Sequence, residues 1–307
     1  MNKNKNRGRE EKKRKAAQRI LTRWVIIGGL LLLVIAGIWL VFSGRDSANQ
    51  NAEPISRLNT DDFHSLAFSL TEPETIYFGH HGGLMVSNNG GEDWKKTSLN
   101  GVDAMALGLP GSNPQIMYAA GHDVFYKSID AGQTWESVST NLPGTDIHGF
   151  TVDSENENRV FANVAGFGIF GSQDGGEAWE ALSTTAPPST FNLTMGENSE
   201  ALYAAAGQAG LWKSADGGKT WLVVSQTPDE GAIAVVYVRE NNRLFISTAG
   251  AAGGLYFSDD NGGTWSQLGL NGVFMAIAVS PKDTSHIVIV NDQGEVFSSR
   301  DSGVTWQ

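Results

Sequence analysis

The chain contains no cysteine among its 307 residues. This absence excludes disulfide bonds, a lipid anchor attached through cysteine and a cysteine nucleophile. An exported domain without disulfides depends on its hydrophobic core, and a domain of about 250 residues is large enough to bury one. The G-x-S-x-G elbow and the phosphate-binding loop are also absent. The sequence therefore carries none of these common enzyme signatures.

Charged residues are scarce, at 18% of the chain, and they are unevenly distributed. Residues 1–23 hold ten Lys/Arg and two Glu, residues 24–44 hold no charged residue, and the remainder holds twelve Lys/Arg against thirty-one Asp/Glu. The net charge of −11 thus combines a basic N-terminal block with a strongly acidic remainder. An acidic surface favours cationic partners or metal ions and disfavours nucleic acid. We interpret the basic block as a membrane-orientation signal that also attracts anionic lipids.

One long apolar segment, residues 24–43, follows the basic block. As a helix it would span about 30 Å, the thickness of a hydrocarbon core. With basic residues before it, we expect a single-pass signal-anchor in the cell membrane, with the tail of residues 1–23 in the cytoplasm and the rest outside. The alternative is a cleaved signal peptide, whose apolar region would be shorter, about 7–15 residues. Residues 44–54 are polar and predict a flexible linker.

An eight-residue pattern, S-x-D-x-G-x-T-W, recurs six times after the linker, most clearly at Ser128–Trp135 and Ser214–Trp221. The closing tryptophans are separated by 41 to 44 residues, and such a regular period is typical of repeat architectures. Ser and Asp side chains can bond nearby backbone N–H groups in a tight turn, Gly supplies a positive φ, and Trp supplies a large apolar ring. The Asp or Asn and Trp positions of the six copies are Asn89, Asp130, Asp174, Asp216, Asp260 and Asp301, with Trp94, Trp135, Trp179, Trp221, Trp265 and Trp306.

These six copies resemble the Asp box, or BNR repeat, of sialidases, sortilin-type receptor ectodomains, photosystem II assembly factors and bacterial proteins labelled glycosyl hydrolases. The resemblance covers residues 55–307 and implies a β-propeller with a box between the third and fourth strands of each blade. In the resembling families those turns lie on the face opposite the ligand site. We therefore expect the boxes to be structural. Because such propellers carry many activities, the resemblance implies a fold more than a function.

The chain ends indicate the number of blades. Four short strand-like segments per period predict an all-β fold, a six-bladed propeller of four-stranded antiparallel blades. The sixth period stops at Gln307, one residue into its outer strand, whereas residues 54–58 stand before the first inner strand. We expect this N-terminal segment to supply the outer strand of blade six. Such a closure removes an open sheet edge.

Five of the six histidines map to the face opposite the boxes, and only His286 maps to the box face. His64 and His148 begin inner strands, where Met105 and Met275 occupy the aligned positions. The others lie in turns between second and third strands, with aspartates nearby. The candidate ligand-binding residues are His64, His80, His81, His122, Asp123 and His148.

Imidazoles beside carboxylates or thioethers have the composition of a transition-metal site. Imidazole suits Zn, Cu, Fe and Ni, and a thioether suits Cu(I). The alternative is that these histidines cap backbone groups or are solvated, and that the methionines pack in the core. No short metal signature such as H-E-x-x-H is present. The candidate ligands for a copper or zinc ion are His80, His81, His122 and His148, with Met105 and Met275 nearby.

The same mapping separates two glycosidase activities. Sialidases of the resembling families grip a carboxylate with three arginines, a task suited to the guanidinium group. The five propeller arginines map to the box face or to the closing strand, so sialidase activity is not expected. A different glycosyl hydrolase would need two carboxyl groups about 5–9.5 Å apart. Asp103 and Asp146 precede the inner strands of adjacent blades and are the candidates for this alternative.

The sequence thus favours a non-catalytic function. We expect a membrane-anchored propeller outside the cell that binds or assembles a protein, peptide or glycan partner, or holds a metal or small ligand, on the face opposite the boxes. The resemblance to photosystem II assembly factors and sortilin-type ectodomains implies the same kind of role. The alternative is a glycosyl hydrolase other than a sialidase.

Overall fold

The computed structural model describes residues 52–60, 62–183, 187, 190–228, 231–249 and 253–307. The predicted basic tail, the predicted membrane helix and the linker up to residue 51 lie outside the described residues. Within the described ranges, no helix has the length and apolar character that crossing a membrane requires. The described residues form six four-stranded antiparallel sheets, which confirms the predicted all-β propeller.

The first three blades follow the chain from their first strand to their fourth. Their strands are short and end at turns rich in Gly, Asp and Asn, residue types that favour tight turns. The strands are β1 (Ser56–Arg57), which joins the last blade; β2 (Ser65–Phe68), β3 (Ile76–His80), β4 (Gly83–Ser87) and β5 (Lys95–Asn100) in blade one; β6 (Ala106–Gly108), β7 (Met117–Gly121), β8 (Val124–Ser128) and β9 (Glu136–Ser137) in blade two; and β10 (Ile147–Asp153), β11 (Asn156–Val164), β12 (Gly168–Ser172) and β13 (Glu180–Ser183) in blade three.

Blades four and five repeat this order, and blade six differs only in the origin of its outer strand. The second strands are almost entirely buried, because both faces of each sheet pack against neighbouring blades. The strands are β14 (Asn192–Met195), β15 (Leu202–Ala205), β16 (Leu211–Ser214) and β17 (Leu222–Val223) in blade four; β18 (Ala234–Val238), β19 (Arg243–Thr248), β20 (Gly254–Ser258) and β21 (Ser266–Asn271) in blade five; and β22 (Phe274–Val279), β23 (Ile287–Asn291) and β24 (Glu295–Ser299) in blade six.

The six first strands form a closed ring around the axis. Each contacts the first strand of the next blade, in the order β2, β6, β10, β14, β18, β22 and back to β2. The core lies between blades rather than in one central layer. Between blades two and three, for example, Tyr118, Phe125, Phe150 and Trp179 belong to one buried cluster. The blade interfaces are therefore the main apolar contacts of the fold.

Both ends of the described chain bond to β24. Strand β1 pairs with it in antiparallel register, with Ser56 opposite Val296 and Arg57 opposite Glu295. Gln307 exchanges two backbone hydrogen bonds of 2.8 and 2.9 Å with Ser298. The N-terminal segment thus supplies the fourth strand of blade six, which confirms the predicted closure.

In all six boxes, a buried serine hydroxyl organises the turn. It donates to the Asp or Asn Oδ1 at 2.6–2.9 Å, and it accepts the N–H of the glycine four residues later at 2.8–3.0 Å. In four boxes the threonine hydroxyl donates to the second carboxylate oxygen at 2.6–2.8 Å. Hydrogen bonds to the ionised form lower the pKa of Asp130, Asp216 and Asp260 to about 2. These hydrogen bonds hold each box turn in the same conformation.

The first box keeps its hydrogen bonds although Asn89 replaces Asp and Asp93 replaces Thr. Asn89 Oδ1 accepts the Ser87 hydroxyl at 2.9 Å and the Asp93 N–H at 3.0 Å. Its side-chain amide donates to the Asp93 carboxylate at 3.0 Å. Donor and acceptor are exchanged between the two positions, so the turn is preserved.

Replacing Ser214 by alanine is expected to destabilise the protein. The hydroxyl is buried, and its loss removes the acceptor of the Asp216 and Gly218 N–H groups. Leaving buried backbone donors unsatisfied costs about 1–3 kcal/mol in the free energy of unfolding. Urea denaturation followed by tryptophan fluorescence measures this change. The exposed Ser137 of β9 provides the control variant Ser137→Ala, and equal effects of the two substitutions would contradict the proposed role of the box serine.

Candidate functional site

On the face opposite the boxes, the segment that enters an inner strand bonds to the turn of the preceding blade. The Ala104 N–H donates to the His80 carbonyl at 3.0 Å. His122, in the turn of blade two, forms an isolated β-bridge with Asp146, which precedes the inner strand of blade three. These backbone contacts place Asp103 beside the turn of blade one and Asp146 beside the turn of blade two.

Four imidazoles and three carboxylates lie in one line across blades one to three, and we call this line the Asp–His row. Asp62 Oδ2 lies 3.0 Å from both His64 Nε2 and His81 Nδ1. His81 Nε2 lies 3.8 Å from Asp103 Oδ2, and His122 Nδ1 lies 2.6 Å from the same oxygen. The members of the row are Asp62, His64, His81, Asp103, His122, Asp146 and His148.

The row continues from His122 to the third blade. His122 Nε2 lies 3.2 Å from Asp146 Oδ1, and His148 Nε2 lies 2.7 Å from the same oxygen. Both nitrogens of the His122 ring therefore face carboxylates, and the ring separates Asp103 from Asp146. Neighbouring imidazoles are also in ring contact, with centroids 5.3 Å apart for His81 and His122 and 5.4 Å for His122 and His148.

Burial affects several atoms of the row. The pKa of His64 is lowered mainly by burial, and the Asp62 carboxylate partly offsets this shift. Among the described residues, His64 Nε2, Asp103 Oδ1 and Asp146 Oδ1 are buried polar atoms that make no hydrogen bond. The short contacts of His64 Nε2 and Asp146 Oδ1 within the row therefore have ion-pair distances without the alignment of a hydrogen bond.

A glycine makes room for the central carboxylate. Gly121 ends β7, directly before His122. A Cβ at this position would lie 2.8 Å from Asp103 Oδ1 and 2.9 Å from its Cγ, distances that real Cβ contacts do not show. Any side chain at position 121 would therefore push Asp103 out of the row.

Two of the candidate ligand-binding residues lie outside the row. His80 is buried at the end of β3, where its ring stacks on Phe78 with centroids 5.5 Å apart and its Nδ1 accepts the Gly82 N–H at 3.1 Å. Burial lowers the pKa of His80. Asp123 accepts a hydrogen bond from the hydroxyl of Thr145, which lies in the segment that enters the inner strand of blade three. The structure does not bring either side chain together with the other candidate ligands.

The two methionines of the sequence prediction pack in the hydrophobic core. Met105 is buried, with 4% of its surface exposed. Met275 packs against the core cluster between blades six and one. His286 lies near Gly90 of the first box, on the face to which the sequence assigned it.

Three further residues lie on this face that the sequence patterns did not identify, and one of them, Asp62, belongs to the row. Its position matches that of Asp103 and Asp146 before their inner strands. The shared Asp-x-His spacing of Asp62 with His64 and of Asp146 with His148 was the signal that could have identified it.

The other two missed residues are large apolar side chains in exposed positions. Phe167 is 48% exposed in the turn of blade three, and Phe191 is 50% exposed in the segment before β14. Phe167 stands between Gly166 and Gly168, which both have positive φ. The signal in the sequence was the position of this aromatic residue between two glycines, which is typical of a turn and not of a buried strand.

The propeller arginines are engaged elsewhere. Within the part of the chain that the structure describes, each arginine forms an ion pair with one or two carboxylates. None of these carboxylates belongs to the Asp–His row. The row thus keeps three carboxylates beside its four imidazoles. The pairs are Arg57 with Glu295, Arg159 with Asp153 and Glu200, Arg239 with Glu155, Arg243 with Asp259, and Arg300 with Glu74.

A cavity of about 260 Å³ follows the propeller axis and is lined by the inner strands. Most of its lining residues are apolar, such as Leu66, Phe150 and Val235. Of the row, only His64 lines this cavity. The row is therefore a feature of the rim and not of a deep pocket.

Comparisons with known proteins agree with this architecture. The BNR/Asp-box repeat model matches residues 256–267, and the model described as Sortilin, neurotensin receptor 3 matches residues 123–227. No curated protein matches the sequence. The BNR/Asp-box model describes a repeat of the kind that the boxes form here.

Three solved structures show the range of similar folds. The GH74 enzyme of Niastella koreensis has 20% identity and a TM-score of 0.60, over 84% of this chain and 46% of that chain. YCF48 bound to D1 peptide has 19% identity and a TM-score of 0.55, over 82% and 83%. A chain of the nidogen/laminin complex has 12% identity and a TM-score of 0.62, over 76% and 91%.

These similarities concern the fold alone, because the identities are low. The chain spans less than half the length of the GH74 enzymes that it matches. The described residues therefore form a six-bladed β-propeller with six Asp-box turns, and the box of blade five matches the BNR/Asp-box repeat model.

Proposed function

We propose that this propeller is a non-catalytic binding module that holds a protein or peptide segment on the face opposite the Asp boxes. The observation that carries the proposal is an Asp–His row beside two exposed phenylalanines, Phe167 and Phe191, on that face. Carboxylates attract cationic side chains, and exposed aromatic rings supply the apolar contacts that dominate many interfaces. In its metal-free form, the module is expected to select segments that carry Lys or Arg next to apolar residues.

The groups that would meet a partner are accessible and already positioned. The side chains of His81, His122 and Asp146 are 44–46% exposed, similar to the two phenylalanines. Backbone hydrogen bonds between blades hold the segments that carry the row. A preformed surface loses little conformational entropy on binding, which favours affinity.

Similar structures support a protein or peptide as the partner. YCF48 has a structure with D1 peptide, and a propeller of similar fold occurs in the nidogen/laminin complex. This chain covers 83% of the YCF48 chain and 91% of the chain from the nidogen/laminin complex, whereas it covers only 46% of the first GH74 enzyme.

A display library of short random peptides tests the proposal on chelator-treated protein. We expect enrichment of peptides that combine Lys or Arg with aromatic or aliphatic residues. Replacing both phenylalanines, Phe167→Ala with Phe191→Ala, is expected to weaken binding about tenfold or more, which corresponds to about 1.4 kcal/mol. Asp103→Asn with Asp146→Asn is expected to weaken it most at low salt, since screening is then smallest.

The matched control for this binding experiment is Ile129→Ala. Ile129 is 69% exposed but belongs to the second Asp box, on the opposite face. Its replacement should leave the dissociation constant unchanged. Failure to enrich any peptide, or equal loss of binding in the Ile129 variant, would show that this face is not the binding surface.

We further propose that the propeller lies outside the cell and is tethered by residues 24–43. Support comes from the ten Lys/Arg before an uncharged apolar segment. Protease added to cells with an opened outer envelope should remove the propeller and leave a membrane-bound N-terminal fragment. Release of the intact propeller into the soluble fraction would instead indicate a cleaved signal peptide.

Glycoside hydrolysis is the second candidate function, and the similarity to GH74 enzymes favours testing it. Asp103 and Asp146 would be the catalytic carboxyl groups. However, His122 lies between them, at 2.6 and 3.2 Å from the two carboxylates. A glycosidase needs that space for the glycosidic bond and its flanking acid and base. The geometry therefore favours binding over hydrolysis.

A hydrolysis assay separates the two functions. Xyloglucan is the appropriate first substrate, because one similar structure is a GH74 xyloglucanase from Xanthomonas campestris. The protein is expected to release no more reducing sugar than its Asp103→Asn/Asp146→Asn variant. If the wild-type protein hydrolyses xyloglucan and the double variant does not, the protein is a glycosyl hydrolase and the binding proposal is wrong.

A further inference from the structure

Besides the central group of His81, Asp103 and His122, the Asp–His row contains two outer sets of donor atoms that have no residue in common. Each set contains two imidazole nitrogens and one carboxylate oxygen, and in each the three ligand atoms lie within 4.8 Å of one another. The nearest contacts identify the atoms. The first set is Asp62 Oδ2, His64 Nε2 and His81 Nδ1, and the second set is His122 Nε2, Asp146 Oδ1 and His148 Nε2.

We propose that each set binds one divalent transition-metal ion, so that the row holds two. Two imidazoles and one carboxylate suit zinc, copper(II) or iron(II), with further positions open to water or a partner. Donor atoms that lie about 2.1 Å from a tetrahedral zinc ion stand about 3.4 Å from each other. The contacts of 3.0 Å to Asp62 Oδ2, and of 2.7 and 3.2 Å to Asp146 Oδ1, need only small shifts to reach this spacing.

The two sets share an Asp-x-His pair and differ in the blade that supplies the third donor. In each, an aspartate and the histidine two residues later stand at the start of an inner strand, Asp62 with His64 and Asp146 with His148. The third donor is an imidazole from a turn between second and third strands. It comes from the same blade in the first set and from the preceding blade in the second. The two sites thus have the same composition and equivalent Asp-x-His pairs, with the turn histidine drawn from different blades.

Asp103 lies between the two sets and faces the ring nitrogens of His81 and His122 that are not donor atoms of either set. Its Oδ2 lies 2.6 Å from His122 Nδ1 and 3.8 Å from His81 Nε2. A metal-bound histidine almost always donates its other N–H to a carboxylate, carbonyl or water, and this orients the ring and raises its basicity. Asp103 would accept these N–H groups from both sites. Gly121 supports the arrangement because a side chain there would displace Asp103.

Buried polar atoms provide an independent observation. His64 Nε2 in the first set and Asp146 Oδ1 in the second set are buried and make no hydrogen bond, although each lies close to other donor atoms of its set. Unsatisfied buried polar atoms are rare in folded proteins and costly. An ion between the donors would satisfy one such atom in each set.

Metal loading would change what this face binds. A bound divalent cation is usually the largest local charge and reverses the electrostatic preference of its surroundings. The loaded row would offer open coordination positions to histidine or carboxylate side chains in place of negative charge. Peptide selection on metal-free protein and metal binding are therefore separate experiments, and either proposal can fail without the other.

The test is to count bound ions on the full chain after removal of metal by a chelator. Titration with Zn²⁺ alone, and separately with Cu²⁺ alone, followed by elemental analysis, is expected to give two ions per chain. His64→Ala and His148→Ala should each leave one ion, and their combination should leave none. Asp103→Asn should keep both ions but weaken each by about 10–100-fold.

Asp292→Asn is the matched control, because Asp292 is an exposed aspartate on the same face but outside the row. This variant should still bind two ions. Wild-type protein that binds neither ion, or a count unchanged in the His64/His148 double variant, would overturn the proposal. If circular dichroism shows that an alanine variant has lost its fold, His64→Gln and His148→Gln supply the same counts. Loss of both ions on His80→Ala in a folded protein would place the metal elsewhere and would also overturn it.

Discussion

The candidate site depends on the backbone hydrogen bond between the turn of one blade and the segment that enters the next. It joins His80 to Ala104 between blades one and two, and Asp123 to Thr145 between blades two and three. Because the contact of β22 with β2 closes the ring of inner strands and β1 completes blade six, these contacts cannot shift independently of the blades. The line of carboxylates and imidazoles is thus a consequence of blade packing, even though its members stand in turns and connections.

Much of the fold was predictable because the box is a local structure. Its hydrogen bonds join residues at most four positions apart, so the period predicted the four-stranded blades, and the chain ends then predicted six blades and the closure by β1. Asn89 and Asp93 show the limit of pattern matching, since they look degenerate in sequence and yet exchange donor and acceptor. The predicted membrane segment, residues 24–43, lies outside the described residues and stays a prediction.

The candidate site was less predictable because the direction of a side chain depends on where its strand ends. His80 and His81 are adjacent in sequence, but β3 includes only the first of them. His80 therefore packs inward against Phe78, whereas His81 reaches the row. Phe191 could not be recognised as exposed before the structure showed its surroundings, because an aromatic residue before a strand commonly enters a core.

The distribution of side chains around the face favours recognition by an extended partner. The Asp–His row occupies blades one to three, and Phe167 and Phe191 extend the same surface to blades three and four. Only His64 of these residues lines the axial cavity, so a partner that filled the channel would miss most of them. His122 and Asp146 are nearly half exposed, so the row lies at the rim and is open to a partner. A segment that meets both the polar and the aromatic groups must therefore follow the rim across four of the six blades.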